Sequence, residues 1–166
     1  NTAETHAGKT PHNMAHGALM GARGNSGVSL SQIWRGFSRT LDGLDLLDGP
    51  SLVLAFDEAQ KTAYKGVVRP VEGTILTVAK DMALAAESAL EETQEPYEIL
   101  ELVVKAADES VQRTPELLKV LKDAGVVDSG GKGLFYIFEG MQRFINGLPL
   151  DEAVSTVLPL SAMQMD

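Results

Sequence analysis

Apolar residues recur at intervals of three and four along most of this chain, and nowhere do they alternate with polar ones as a half-buried strand requires. The pattern predicts helices. Thr10 followed by Pro11 reads as a cap and first turn, opening a short helix that runs to about Ala22. From about Ser26, the residues Leu30, Ile33, Trp34, Phe37 and Leu41 share one face until Gly43 ends the run, and Asp42 to Pro50 reads as a linker. Leu52, Ala55, Phe56, Ala59 and Ala63 mark the next helix, which the pattern extends until just before Pro70, because the residue ahead of a proline avoids helical angles. Ile75, Ala79, Met82, Ala83, Ala86 and Leu90 define another, and Ile99, Leu102, Val103 and Ala106 one more after Pro96. Thr114-Pro115-Glu116 repeats the cap-and-proline signature and predicts a fresh short helix, with Leu117, Leu118 and Leu121, ending at Gly125.

The stretch after Asp128 is the most apolar, with Leu134, Ile137, Phe138, Met141 and Ile145 on one side and Phe135 and Phe144 on another, so it is predicted to be central. Trp34 and Phe37 follow their helix face and read as core. A last short segment around Asp151 to Thr156 precedes a patternless tail over residues 159–166. Seven or eight helices joined by short connections predict an all-α fold, a helical bundle or barrel, with one domain over residues 1–158.

Composition narrows what such a domain can do. With 166 residues, 44% of them hydrophobic, one ordinary core is expected. There is no cysteine, which removes disulfides and thiolate metal sites. No apolar run approaches the roughly 18 to 20 residues of a membrane span, and the first residues lack a signal-like apolar stretch, so the cytoplasm is the default location. A net charge of -9 argues against nucleic acid, whose binders displace counterions with Lys and Arg. It leaves nucleotides open, because backbone amides and a divalent cation can neutralise phosphates locally.

Two glycine-bearing loops, Arg23-Gly24-Asn25-Ser26-Gly27 and Asp128-Ser129-Gly130-Gly131-Lys132-Gly133, lead directly into these helical patterns. A helix start carries N–H groups with no internal partner and the positive end of the macrodipole, and glycine lets a ligand approach the backbone. Such pairs of helix starts can hold phosphates. The ordinary alternative is that each loop is a cap and turn. Pro70-Val71-Glu72-Gly73-Thr74 leads into a third helix start, where Thr74 suits a cap or a ligand hydroxyl, the cap being the commoner role, as it is for Asp128. Arg23 suits either a phosphate or carboxylate clamp or a salt bridge closing its loop, and Lys132 is oddly placed for a helix start unless an anion is near.

The common α/β phosphate devices are absent. A Walker A loop ending at Gly131-Lys132 needs glycine where Val126 stands and Ser or Thr where Gly133 stands, and the dinucleotide fingerprint fails at Tyr136. His12 and His16 share a helical face with His6 nearby, but Asn13 replaces the glutamate of a zinc-protease pattern, so solvated roles are expected. Lys61, Lys65 and Arg69 recur every fourth residue and read as a basic, mostly solvated stripe on one helix face, with substrate or partner docking as the rarer reading.

Gly21-Ala22-Arg23-Gly24-Asn25-Ser26-Gly27-Val28, Ala63-Tyr64-Lys65, Pro70-Val71-Glu72-Gly73-Thr74-Ile75-Leu76-Thr77-Val78-Ala79 and Gly125-Val126-Val127-Asp128-Ser129-Gly130-Gly131-Lys132-Gly133-Leu134 closely resemble the ATP-binding domain of bacterial fatty acid kinase. That domain belongs with the nucleotide-binding L subunit of dihydroxyacetone kinases, and the resemblance covers about residues 8 to 147. It implies an antiparallel barrel of about eight helices with ATP held at one rim through two magnesium ions. Asn25, Ser26 and Gly27 would lie at the phosphates, Thr74 and Ile75 near the nucleotide, and Asp128, Ser129 and Gly130 at the same mouth. The implied reaction is phosphorylation of a fatty acid carboxylate, presented by a separate lipid-binding protein, to an acyl phosphate.

The family's magnesium ligands come from an Asp-Gly-Asp-Thr-Gly-Thr-Asn loop near the N-terminus, whereas Asn1 to His12 holds no aspartate. The expectation is therefore a domain given without its metal loop and weak in catalysis by itself. Two rival readings stand beside it: a dihydroxyacetone-kinase-type phosphoryl-transfer subunit, and a non-catalytic helical interaction module. The Arg-Gly-Asn-Ser-Gly and Pro-Val-Glu-Gly-Thr forms favour the fatty acid branch. A homodimer is compatible with the sequence, which does not fix the oligomeric state or the acyl chain.

Overall fold

The computed structural model describes residues 8–150, and among these every regular element is helical. The elements are α1 (Lys9–Gly21), α2 (Gly24–Leu41), α3 (Gly49–Lys65), α4 (Ile75–Glu92), α5 (Pro96–Leu117), α6 (Lys119–Ala124) and α7 (Ser129–Ile145). The fold is an all-α bundle, as the periodicity predicts. Helices adjacent in sequence pack side by side from α1 to α5, and α7 then lies against α5 and α4 and touches α2. The expected segment at 151–156 and the tail lie outside the described residues, as does His6.

Local chemistry explains most boundaries. Asp48 caps α3 by accepting from the Ser51 amide at 2.8 Å, with Pro50 in the first turn. Thr74 and Asp128 likewise cap α4 and α7. Gly125 ends α6 in the left-handed conformation at φ 65°, which glycine adopts without penalty.

Three boundaries differ from the sequence reading. α1 begins at Lys9, so Thr10 and Pro11 lie within its first turn rather than at the cap, where Gly8 stands. α3 ends at Lys65, not near Pro70, because the Gly66 amide is shared between the carbonyls of Thr62 and Ala63 and the Val67 amide then bonds to Tyr64, only three residues back, so the last turn tightens and the ladder stops at a glycine. α5 runs straight through Pro115, where the sequence predicts a new helix. Proline lacks the N–H that would reach the Val111 carbonyl, but the Thr114 hydroxyl donates to that same carbonyl at 2.7 Å. The missing backbone bond is replaced by a side chain, and the helix continues to Leu117.

The core is centred on rings. Phe138 of α7 stacks on Trp34 at 5.6 Å between centroids and meets Phe56 at 5.2 Å and Phe37 at 5.9 Å. The predicted central role of α7 therefore holds for its first half. Its second half is only partly buried: Phe144 is 75% exposed, and Ile137, Met141 and Ile145 line an open apolar cavity of about 710 Å³ between α1, α2, α5 and α7.

Candidate nucleotide site

The starts of α2, α4 and α7 meet at one end of the bundle. A Cβ placed on Gly130 would sit 3.0 Å from the Ser26 hydroxyl, 3.3 Å from Asp128 Oδ2 and 3.4 Å from the Ile75 Cβ, so residues from all three helix starts converge on this glycine. Beside it lies a cleft of about 430 Å³, a volume within the range of small-molecule sites. Its wall is built from Asn25, Ser26, Val28 and Ser29 of α2, Thr74 and Leu76 of α4, Asp128 at the cap of α7, and Gly66, Val67, Val68, Arg69 and Val71 of the connection between α3 and α4. The larger apolar cavity presents almost no polar atoms and cannot meet a phosphate.

Each of these first turns leaves amides available. No side chain caps α2, and the chain leads into it through Gly24 at φ 67°, a left-handed turn favouring glycine. At α7, Asp128 Oδ2 accepts from the Gly131 amide at 2.7 Å, which leaves the earlier Ser129 and Gly130 amides uncapped. At α4, the Thr74 hydroxyl accepts from the Leu76 amide at 3.3 Å and donates to the Val71 carbonyl at 2.8 Å. Thr74 and Asp128 thus serve as caps while also lining the cleft.

The start of α7 is tied to α5 by one buried hydroxyl. Besides donating to Val111, Thr114 Oγ1 accepts from the Asp128 amide at 3.0 Å. The same turn supports the start of α4, because Gly73, at φ 82°, packs so closely that a Cβ would lie 2.7 Å from the Leu118 Cβ and 2.9 Å from the Thr114 carbonyl.

A charged cluster fixes the α3–α4 connection from behind. Glu72 Oε2 accepts from the Thr77 hydroxyl at 2.7 Å and from Lys80 Nζ at 3.0 Å, and Glu72 Oε1 accepts from the Tyr64 hydroxyl at 3.0 Å. The Gly73 amide donates to Thr77 Oγ1 at 2.8 Å. The Thr77 hydroxyl bond, with help from Lys80 and Tyr64, holds the Glu72 carboxyl below its ordinary range. Desolvation and then the bond to Glu72 raise the Tyr64 phenol, and the same carboxylate raises Lys80.

The remaining residues singled out by sequence sit apart from the cleft wall. A Cβ on Gly27 would stand 3.4 Å from the Ala22 Cα, buried Ile75 lies behind Gly130, and Ser129 is exposed at the first turn of α7. Arg23 turns back on its own loop, donating to the Ala22 carbonyl at 2.8 Å. Lys132 faces α5, 3.6 Å from Asp108 Oδ1 and over the rings of Phe135 and Tyr136. Neither cation lines the cleft.

Arg69 does line it, and sequence reasoning missed this by placing it on a helical stripe with Lys61 and Lys65. Because α3 stops at Lys65, Arg69 leaves that face, while Lys61 pairs with Asp57 at 2.5 Å. The available signal was Gly66, a residue enriched just past helix ends, four positions before Pro70. Among the described residues no group of three His, Cys, Asp or Glu side chains could hold a metal, and His6, which the sequence sets near His12 and His16, lies outside them. No described helix is long and apolar enough to cross a membrane.

An all-helical domain whose helix starts converge on one small cleft with both polar and apolar walls fits a nucleotide-binding domain of the kinase class. Residues 1–143 match the DAK2 domain, and the chain belongs to this family of dihydroxyacetone-kinase-type ATP-binding domains. An uncharacterized protein of Staphylococcus aureus strain USA300 is 43% identical over 157 residues, 95% of this chain and 29% of that protein. Another, from the bovine strain RF122, is 44% identical over 155 residues, 93% of this chain and 28% of its own length. The chain thus spans less than a third of these relatives.

Proposed function

We propose that this chain is the ATP-binding domain of a fatty-acid-kinase-type phosphotransferase. The observation that carries the reading is the convergence of the first turns of α2, α4 and α7 on Gly130, beside a cleft of about 430 Å³. Amides at Gly24 to Ser26 and at Ser129 to Gly130, with two helix dipoles, would serve one anion at this convergence, which suits a polyphosphate. Val28, Val67, Val68 and Val71 offer apolar surface for a base, and Asn25, Ser26 and Thr74 offer polar contacts at the phosphate end.

The transfer itself needs little from the protein. A carboxylate oxygen bonds to the γ-phosphorus as the bond to the β-phosphate oxygen breaks, leaving ADP and an acyl phosphate. Positioning and charge neutralisation supply the acceleration. Magnesium is the ion the resemblance implies, but the described residues do not furnish its site: Asp128 is the only carboxylate on the cleft wall. The acceptor, a fatty acid held by a separate lipid-binding protein, and a cytoplasmic setting are part of the same proposal.

The test has two parts. Titration of the chain with ATP should give saturable binding and a thermal shift, since a ligand bound only by the folded state stabilises it. Incubation with ATP, magnesium and a fatty-acid-loaded carrier should trap acyl hydroxamate when hydroxylamine is added, slowly, since the described cleft holds one carboxylate for the ion. Phosphorylation of dihydroxyacetone in place of the fatty acid would assign the chain to the other branch, and no nucleotide binding at all would favour an interaction module.

A further inference from the structure

We infer that Arg69 is the phosphate-binding cation of the cleft and sets its preference for the triphosphate. This rests on the nucleotide reading and adds a residue to it. The chain carries a net charge of -9, and the cleft wall already holds the Asp128 carboxylate, so a polyphosphate reaching it meets net repulsion unless a cation is present. Arg69 is the single Lys or Arg among the described residues that line the cleft. Its guanidinium has no ion pair or hydrogen bond among those residues, unlike Lys61, Lys80 and Lys132, each of which faces a carboxylate.

The backbone around Arg69 is held in place. On one side α3 ends at Lys65 and Gly66 folds back onto Thr62 and Ala63. On the other, Pro70 restricts the chain and Glu72 is anchored by Tyr64, Thr77 and Lys80. A planar guanidinium carried on this anchored backbone can pair two phosphate oxygens at once and keeps its charge at any working pH. The uncapped amides at the starts of α2 and α7 would meet the same anion. Amides orient the phosphates, and Arg69 supplies the formal charge that they lack.

The experiment is an NMR titration of the chain, and of its Arg69→Gln and Arg69→Lys variants, with ATP and separately with adenosine. Arg69 is exposed, so the variants should fold as the parent does. The expected result is a five- to tenfold weaker dissociation constant for ATP in Arg69→Gln, recovery of most of that loss in Arg69→Lys, unchanged adenosine binding, and a shallower salt dependence for ATP. Unchanged ATP affinity in Arg69→Gln, or equal losses for ATP and adenosine, would overturn the inference while leaving the nucleotide site standing. Absence of ATP binding by the parent chain would overturn the site and the inference together.

Discussion

The Ser26 hydroxyl, in the first turn of α2, lies 3.0 Å from the point where a Cβ on Gly130 of α7 would stand. Residues more than a hundred positions apart in sequence thus bring two helix N-termini to one mouth. Gly130→Ala should therefore separate binding from stability. Alanine's better helix propensity, worth about 1 kcal/mol, offsets the crowding, so unfolding should shift by no more than about that amount. ATP affinity should fall about tenfold, as the new methyl occupies the phosphate mouth; calorimetry and denaturant unfolding measure the two quantities side by side.

Thr114 connects the same mouth to α5, and it is fully buried. Thr114→Val keeps the shape but leaves the Val111 carbonyl and the Asp128 amide without their partner. The loss should be about 2 to 3 kcal/mol, the usual penalty for buried unsatisfied groups. Thr114→Ser retains the hydroxyl and should lose only about 1 kcal/mol for the missing methyl. Equal losses in the two variants would show that the hydroxyl is not what supports this turn.

How far sequence alone reached depends on whether the controlling signal was local. Caps at Thr74 and Asp128 and the spacing of Trp34, Phe37 and Phe138 are local or periodic, and they led to the helices and much of the core correctly. The run through Pro115 was illegible because it depends on one hydroxyl reaching back to Val111, and a threonine before proline signals a new cap equally well. Arg69 was misplaced for a related reason: its stripe with Lys61 and Lys65 exists only if α3 continues, and Gly66 stops it. Glu72 gave no signal either. Its partners Tyr64, Thr77 and Lys80 come together only when the α3–α4 connection folds back.

The Glu72 cluster has a defined pH signature. Its carboxyl is lowered from an ordinary value of 4.5, so the folded state binds fewer protons there than the unfolded chain. Stability from this group is full above that value and is lost as pH falls through the lower folded value. Lys80 and Tyr64 are raised from 10.5 and 10.0, so their contribution is full below those values and declines at more alkaline pH. Glu72→Gln should lower the melting temperature near neutral pH, with the difference from the parent shrinking below about pH 4; thermal melts across about pH 3 to 8 measure it. A difference that stays constant over that range would exclude the charged interaction as its source. Because Glu72 is about half exposed, the effect should be modest.

Phe138 lies 5.6 Å from the only tryptophan of the chain, which makes the core directly observable. Phe138→Ala should cost about 3 to 5 kcal/mol, as large-to-small changes at buried aromatics do. The Trp34 emission should move to longer wavelength as the indole loses its stacked neighbour. An unshifted spectrum with unchanged stability would contradict the ring cluster described for α2, α3 and α7.

The central claim is that one nucleotide touches the first turns of α2 and α7 together, and amide-resolved NMR of the chain with ATP tests it most directly. Gly24, Asn25, Ser26, Thr74, Ser129 and Gly130 are expected to shift along one common saturation curve. Shifts confined to only one of those two helix starts, or grouped around the apolar cavity beside Phe144, would contradict it.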